Sequence, residues 1–317
     1  MSEYRHLFGP VPSRRFGRSL GVDLTPLKTC TLDCVFCQLG HTSRKTLERR
    51  EYVPAAEVTA ELARWRDEGG QADHITLAGS GEPTLHSGFG DVLEFIRGEL
   101  PFPSVLLSNG TLFWQSDVRE AARRAHIVKL SLSAWDAPTF RRVNRPHAEI
   151  DFDLYLAGLR TFGEAREGKL WLEVFLVEGL NTTAGGLKRL ARLAETIAPD
   201  EIHLNTAVRP AAERSVQAAP RERMEEWAGW FRPRATVIAG FPKRSGVNVE
   251  AGERAILDML RRRPCTAAQV AEAFDMHRNE VAKYLGELAR TKRVRGEYQG
   301  GEIYFKAISG TDGKEFP

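Results

Sequence analysis

The chain has 317 residues, 42% of them hydrophobic, and a formal net charge of +3 at pH 7. That length buries a full-sized core and leaves enough for a second, smaller domain. The charge excess is too small to argue a polyanion partner from the total, no run approaches the roughly 20 apolar residues of a membrane span, and MSEYRHLFGP lacks the basic-then-apolar order of a signal peptide; a soluble, cytoplasmic protein with no membrane partner is expected.

In chain order, short apolar runs alternate with longer helical patterns. Six main strands are expected at SLGVDL (19–24), HITLAG (74–79), SVLLSN (104–109), IVKLSLS (127–133), LWLEVFLV (170–177) and EIHLNT (201–206), with TVIAG (236–240) as a further short one. Helices are expected between them over 54–67, 89–98, 117–124, 151–165 and 184–197. Six successive strand–helix units give an α/β fold, a partial (β/α)6 parallel barrel with its chemistry at the C-terminal strand ends. A doubly wound open sheet is the competing architecture.

The barrel domain is expected to span 1–240, followed by a linker over 241–252 that carries Pro, Gly, Ser and Asn without apolar period. A helix over 253–263, a second capped by Thr266 and running to Phe274, and a third over 277–290 with apolar Val281, Leu285 and Leu288 come next. Strands over 293–298 and 302–306 then flank Gly300-Gly301. That order predicts a winged helix-turn-helix domain over 253–317.

Four cysteines occur, and Cys30, Cys34 and Cys37 fall together in KTCTLDCVFCQLG, directly after the first strand. A disulfide framework would not cluster them so; short spacing lets three thiolates converge on one metal centre. Three ligands leave one iron of a 4Fe-4S cluster open, whereas a closed zinc or inert cluster site would require a remote fourth ligand such as His41 or Cys265.

CxxxCxxC with an aromatic before the last Cys, here Phe36, resembles the cluster loop of radical SAM enzymes. The resemblance implies a 4Fe-4S cluster whose open iron chelates S-adenosylmethionine and whose electron cleaves it to methionine and a 5'-deoxyadenosyl radical, with an electron donor of the reduced flavodoxin or ferredoxin type. Gly79-Ser80-Gly81-Glu82-Pro83-Thr84 is similar to the family's Gly-Gly-Glu motif, in which small residues admit a ligand and the Glu82 carboxylate orients its ammonium. Ser108-Asn109-Gly110-Thr111 is similar to the Thr-Asn-Gly of many members, and Asn109, Ser131 and Ser133 are candidates for the ribose hydroxyls and the methionine carboxylate. Ser131 and Ser133, two apart on a strand, share a face.

Within the superfamily, FGPVPSRRFGRSLGVDL and HLNTAVRP look like a branch related to the wybutosine-forming tRNA enzymes. Those enzymes use further N-terminal cysteines for a second cluster; this chain has no free set, so one cluster is expected. The resemblance favours RNA, tRNA foremost, as substrate. Two alternatives are a redox-responsive DNA-binding regulator, and a radical enzyme acting on a small molecule or peptide with the C-terminal domain as a lid.

Asn144, Arg145, Pro146, His147, Glu173, Glu178, Asn181, His203, Asn205 and Arg209 are expected at or after later strands, where a barrel presents them to substrate; Arg209 and Arg145 suit an anionic one. Arg14, Arg15 and Arg18 precede the first expected strand and either approach the barrel mouth or cover its bottom, and Arg261, Arg262 and Arg263 complement a helix dipole. In a winged helix, Arg278, Lys283, Arg290, Lys292, Arg293 and Arg295 are the candidate phosphate contacts, although Glu280, Glu287 and Glu297 are interleaved.

Overall fold

The computed structural model describes residues 4–13, 15–238, 253–274, 276 and 278–308. Arg14, the linker 241–252, the end of the 236–240 run and His277 lie outside the described residues.

The strands of the first body are β1 (Leu7–Ser13), β2 (Gly17–Val22), a short pair β3 (Thr29–Cys30) and β4 (Arg44–Lys45), then β5 (His74–Leu77), β6 (Ser104–Ser108), β7 (Ile127–Ser131), β8 (Lys169–Leu176), β9 (Glu201–Thr206) and β10 (Thr236–Val237). Eight of them form one sheet in the order β1-β2-β5-β6-β7-β8-β9-β10. From β2 onward every pairing is parallel. Chain order and sheet order coincide, so there is no reversal point of the kind a doubly wound sheet requires, and that competing reading falls.

The Pro-rich segment before the first expected strand is itself a strand, β1, antiparallel to β2 on the outer edge. Proline donates nothing to a ladder and is tolerated at an edge, which is where Pro10 and Pro12 sit; composition therefore hid this strand.

Helices α1 (Ala55–Asp67), α2 (Phe89–Glu99), α3 (Ser116–Ala122), α4 (Ala137–Asn144), α5 (Phe152–Ala165), α6 (Ala184–Ile197) and α7 (Arg221–Ala228) connect the strands. Five match the expected helices to within two residues; α4 and α7 are additions, each of 8 residues, too short for a clear apolar period. Asp136 starts α4 by accepting the Thr139 N–H at 2.8 Å.

Side chains alternate across the strands. Leu20, Val22, Ile75, Leu77, Leu106, Val128, Leu172 and Leu204 pack against the helices in the main core. The alternate positions carry Val105, Ile127 and Trp171, which cluster with Phe16 from the turn before β2, together with buried Ser19, Thr76, Lys129 and His203.

The second body contains α8 (Glu253–Arg262), β11 (Cys265–Thr266), α9 (Ala267–Phe274), α10 (Arg278–Arg290), β12 (Val294–Gln299) and β13 (Glu302–Ala307). Its strands form a small antiparallel sheet in the order β11-β13-β12, and Ile256, Leu260, Val270, Phe274, Val281, Leu285 and Leu288 make a separate core. Two-residue β11 was not expected. Thr266 caps α9 reciprocally: its Oγ1 accepts the Gln269 N–H, and Gln269 Oε1 accepts the Thr266 N–H, both at 3.2 Å. Gly300 and Gly301 turn between β12 and β13 with φ of +59° and +85°. No described helix is long and apolar enough to cross a membrane.

Candidate functional site

The loop after β2 brings Cys30, Cys34 and Cys37 to the C-terminal side of the parallel strands, and all three are free thiols. The β3–β4 pair fixes the start of the loop. Its middle is bonded to the end of α4, where Asp33 donates to the Asn144 carbonyl at 3.1 Å and Val35 to that of Val143 at 3.0 Å. The helix missed by periodicity thus holds the cysteine loop in place.

Donors meet each sulfur. Asn109 Nδ2 and the Leu32 N–H approach Cys30 Sγ at 3.5 Å each, Asn144 Nδ2 approaches Cys34 Sγ at 3.4 Å, and Lys28 Nζ approaches Cys37 Sγ at 3.2 Å. Burial, with Glu82 nearby, pushes the Cys30 thiol up to about 12; burial and the other two cysteines push Cys34 further. Iron bound by these sulfurs would reverse that preference, because a coordinating thiol is deprotonated outright.

Among the described residues no three His, Cys, Asp or Glu side chains converge tightly enough for a single metal ion. A closed zinc site, whose ligands must share one ion, needs a fourth ligand. Its proposed fourth ligands are committed elsewhere: His41 pairs with Asp33 and Glu213, and Cys265 is buried in the second core. A cubane cluster tolerates wider spacing, since each thiolate binds a different iron, and the soft thiolate set with N–H donors aimed at sulfur fits it.

The Gly79–Glu82 turn lies directly against this loop. A Cβ on Gly81 would stand 1.8 Å from the Thr29 carbonyl oxygen, so glycine is required for that approach, and the Glu82 N–H donates to the same oxygen at 3.0 Å. Glu82 is 2% exposed. Its Oε1 accepts Thr84 Oγ1 at 2.6 Å, Ser108 Oγ at 2.7 Å and the Thr84 N–H at 3.1 Å, while Oε2 accepts the Asn109 N–H at 2.8 Å. Burial raises its pKa against those donors. In this geometry the carboxylate ties the ends of β5 and β6 together.

Asn109 also donates to Thr31 Oγ1 at 2.8 Å, joining β6 to the cysteine loop. Ser133 is buried and its Oγ accepts the Phe175 N–H at 3.0 Å, whereas Ser131 keeps partial exposure at the end of β7. Phe36 stacks on Phe175 with ring centroids 4.0 Å apart and forms a wall beside the loop.

Deeper in the sheet, Glu173 takes Lys129 Nζ at 2.7 Å and also Arg15. Burial alone would raise Glu173, but Lys129 and Arg15 outweigh it and hold the carboxyl well below the usual range. Burial, with Arg15 and Lys129 adding, pushes His203 down to about 4, and its ring meets Trp171 edge-on at 5.1 Å. Arg15 therefore enters the interior, while Arg18 pairs with Asp73.

The other candidates have the following surroundings. Arg145 pairs with Glu213 and Glu178 with Arg223. Asn181 is fully buried and bonds Val177, Ser133 and Phe175 backbone groups, Asn205 accepts the Thr206 N–H, and the His147 N–H bonds the Thr31 carbonyl. Arg209 is buried. On the second body Arg290 pairs with Glu287, Arg293 with Glu253 and Arg295 with Glu297, while Arg278, Lys283 and Lys292 are exposed. Sequence reasoning missed Lys28; a lysine two residues before the first cysteine was the available signal.

A parallel α/β sheet with a three-cysteine loop following its first parallel strand defines the class, an α/β enzyme. The chain matches the Radical SAM superfamily over residues 24–184. It belongs to that superfamily, whose members use a 4Fe-4S cluster and S-adenosylmethionine. A UPF0026 protein of Helicobacter pylori (strain J99 / ATCC 700824) is 33% identical over 313 residues, 95% of this chain and 97% of that protein. A Brachyspira hyodysenteriae protein named GTPase Obg is 32% identical over 305 residues, 95% of this chain but 45% of its own length, so this chain spans less than half of that relative. A structure of TYW1 with a lysine-pyruvate adduct bound shares the fold, with a TM-score of 0.52, 18% identity, and coverage of 72% of this chain and 76% of that one.

Proposed function

We propose that Cys30, Cys34 and Cys37 hold one 4Fe-4S cluster and that the neighbouring strand ends bind S-adenosylmethionine. The observation that carries this reading is the set of N–H donors from Lys28, Asn109 and Asn144 aimed at three sulfurs beside a glycine-dependent turn. When bound and reduced, the cluster supplies the electron that cleaves S-adenosylmethionine to methionine and the 5'-deoxyadenosyl radical used for hydrogen abstraction. The chain's own residues orient and enclose: Phe36 walls the site, the Gly79–Gly81 backbone and Ser80 shape the cofactor cleft, Asn109 and Ser131 offer polar atoms, and Glu82 and Ser133 fix the strand ends.

We favour RNA, tRNA foremost, as substrate. Support comes from the wybutosine-enzyme resemblance, the TYW1 neighbour, and the proposed division into a barrel domain 1–240, a linker 241–252 and a winged domain 253–317, since the described residues of the last carry a helix, a strand, two helices and a hairpin in winged helix-turn-helix order. With Arg290, Arg293 and Arg295 in ion pairs, phosphate contact in this reading falls first to Arg278, Lys283 and Lys292.

Anaerobic reconstitution with iron and sulfide, then reduction in the presence of S-adenosylmethionine and chromatography, tests the proposal. The wild type is expected to form 5'-deoxyadenosine and Cys34→Ala none. A cluster that forms without cleavage would favour the DNA-binding regulator instead. Cleavage by an enzyme that neither binds nor alters RNA would remove the RNA part.

A further inference from the structure

We propose that Arg262 of α8 is a positioning residue for S-adenosylmethionine: through Asp23 and Ser80 it fixes the turn beside the cysteine loop, which makes cofactor binding depend on the second body. The inference rests on the site reading above and deepens it.

Arg262 Nη1 donates to Asp23 Oδ2 at 2.6 Å and to Ser80 Oγ at 2.9 Å. Asp23 follows β2 and Ser80 follows β5, so one guanidinium spans the C-terminal ends of adjacent parallel strands. Those two residues are also bonded to each other, Ser80 N–H to Asp23 Oδ1 at 3.0 Å and Ser80 Oγ to Asp23 Oδ2 at 2.5 Å. The Ser80 carbonyl accepts the Lys28 N–H at 2.7 Å, and Lys28 Nζ reaches Cys37 Sγ at 3.2 Å. A continuous line of hydrogen bonds therefore runs from α8 through the Gly-Ser-Gly-Glu turn to a candidate cluster ligand.

The surroundings are built for this contact. The guanidinium lies 3.8 Å from the Phe8 ring centroid, and Phe8 lies on Gly21, where any Cβ would stand 1.9 Å from the ring. At Gly79 a Cβ would come within 2.4 Å of the Asp23 carboxyl carbon. Two glycines, one on each strand path, make room for the ring and the carboxylate that hold Arg262. A planar guanidinium serves both the stack and the two oxygens; a lysine ammonium serves neither as well.

Docking has contacts of its own, since α8 packs on β1 and Arg263 donates to the Pro12 carbonyl at 3.2 Å. Arg262 reaches beyond that edge strand to the motif. Its loss should leave the bodies docked and the cluster loaded while loosening the turn.

The test uses the full, reconstituted chain as wild type, Arg262→Ala, Arg262→Lys and Arg254→Ala, the last an exposed position on the same helix. Bound iron and sulfide, thermal midpoint, and the change of the reduced cluster's EPR spectrum on titration with S-adenosylmethionine are read for each. Arg262→Ala is expected to keep its iron and to need about tenfold more S-adenosylmethionine for half the spectral change, as second-layer contacts at metal sites usually require. Arg262→Lys should fall between, and Arg254→Ala should match the wild type. Equal titrations for wild type and Arg262→Ala would overturn the proposal, as would iron loss that accounts for the weaker response. If Arg262→Ala is insoluble, Arg262→Lys decides by the same titration. A wild type that shows no cluster or no spectral response would instead defeat the site reading itself.

Discussion

Inside the large sheet Glu173 joins Arg15 and Lys129, with side-chain exposures of 14%, 16% and 9%; on α10 Glu287 meets an Arg290 that is 73% exposed. The groups are chemically alike, but the solvent around them is not. Ions in the interior must be compensated by one another, whereas water already compensates the surface pair. The first body therefore holds charge in its interior, while ion pairs of the second body such as Glu287–Arg290 lie in water and leave Arg278, Lys283 and Lys292 exposed. The proposed site lies in the first body, and the second reaches it through Arg262.

The sharpest way to break this comparison is to remove the acid from each pair. Glu173→Ala leaves Arg15 and Lys129 facing each other in the interior and is expected to cost about 3–5 kcal/mol, seen as a large drop in urea midpoint. Glu287→Ala should leave the midpoint within experimental scatter. Equal effects would mean that the interior is as well solvated as the α10 surface.

Glycines give a second, smaller contrast. At Gly81 an added methyl would meet the backbone of Thr29, which cannot rotate away. Gly81→Ala is expected to cost at least about 1–3 kcal/mol and to lower the iron retained after reconstitution, because the displaced strand carries Cys30. Normal stability with normal iron content would show that the turn and the loop need no such approach.

Much of this was legible in the sequence for identifiable reasons. The six parallel strands carry apolar β-branched runs long enough to be distinguished from the helices between them, and β9 agrees with expectation residue for residue. The cysteine loop and the Gly79–Glu82 turn were legible because their chemistry lies in short, contiguous spacing. What escaped depends on contacts distant in sequence. β1 was hidden by Pro10 and Pro12, tolerable only at an edge that the sequence does not mark. Short α4 shows too few turns for a period, yet its last residue, Asn144, donates to Cys34 from 110 positions away. The expectation that Arg262 merely complements a helix dipole overlooked a partner 239 positions earlier, at Asp23. Basic residues of the C-terminal segment were visible as charges, but their neutralisation by Glu253, Glu287 and Glu297 depends on side-chain direction.

The smallest expected effect has the opposite sign and falls on the second body. Gly286 lies within α10, and a Cβ there would meet nothing within 4 Å, so the added methyl neither clashes nor displaces a partner. Glycine inside a helix loses more chain entropy on folding than alanine does, which makes Gly286→Ala stabilising by about 0.5–1 kcal/mol. The gain should appear in hydrogen exchange of the α10 amides, with S-adenosylmethionine titration of the cluster unchanged, because α10 supplies no residue to the Asp23–Ser80 contact. A loss of α10 protection would mean that this face of the helix is covered, and a changed titration would mean that the second body reaches the cofactor by a route other than α8.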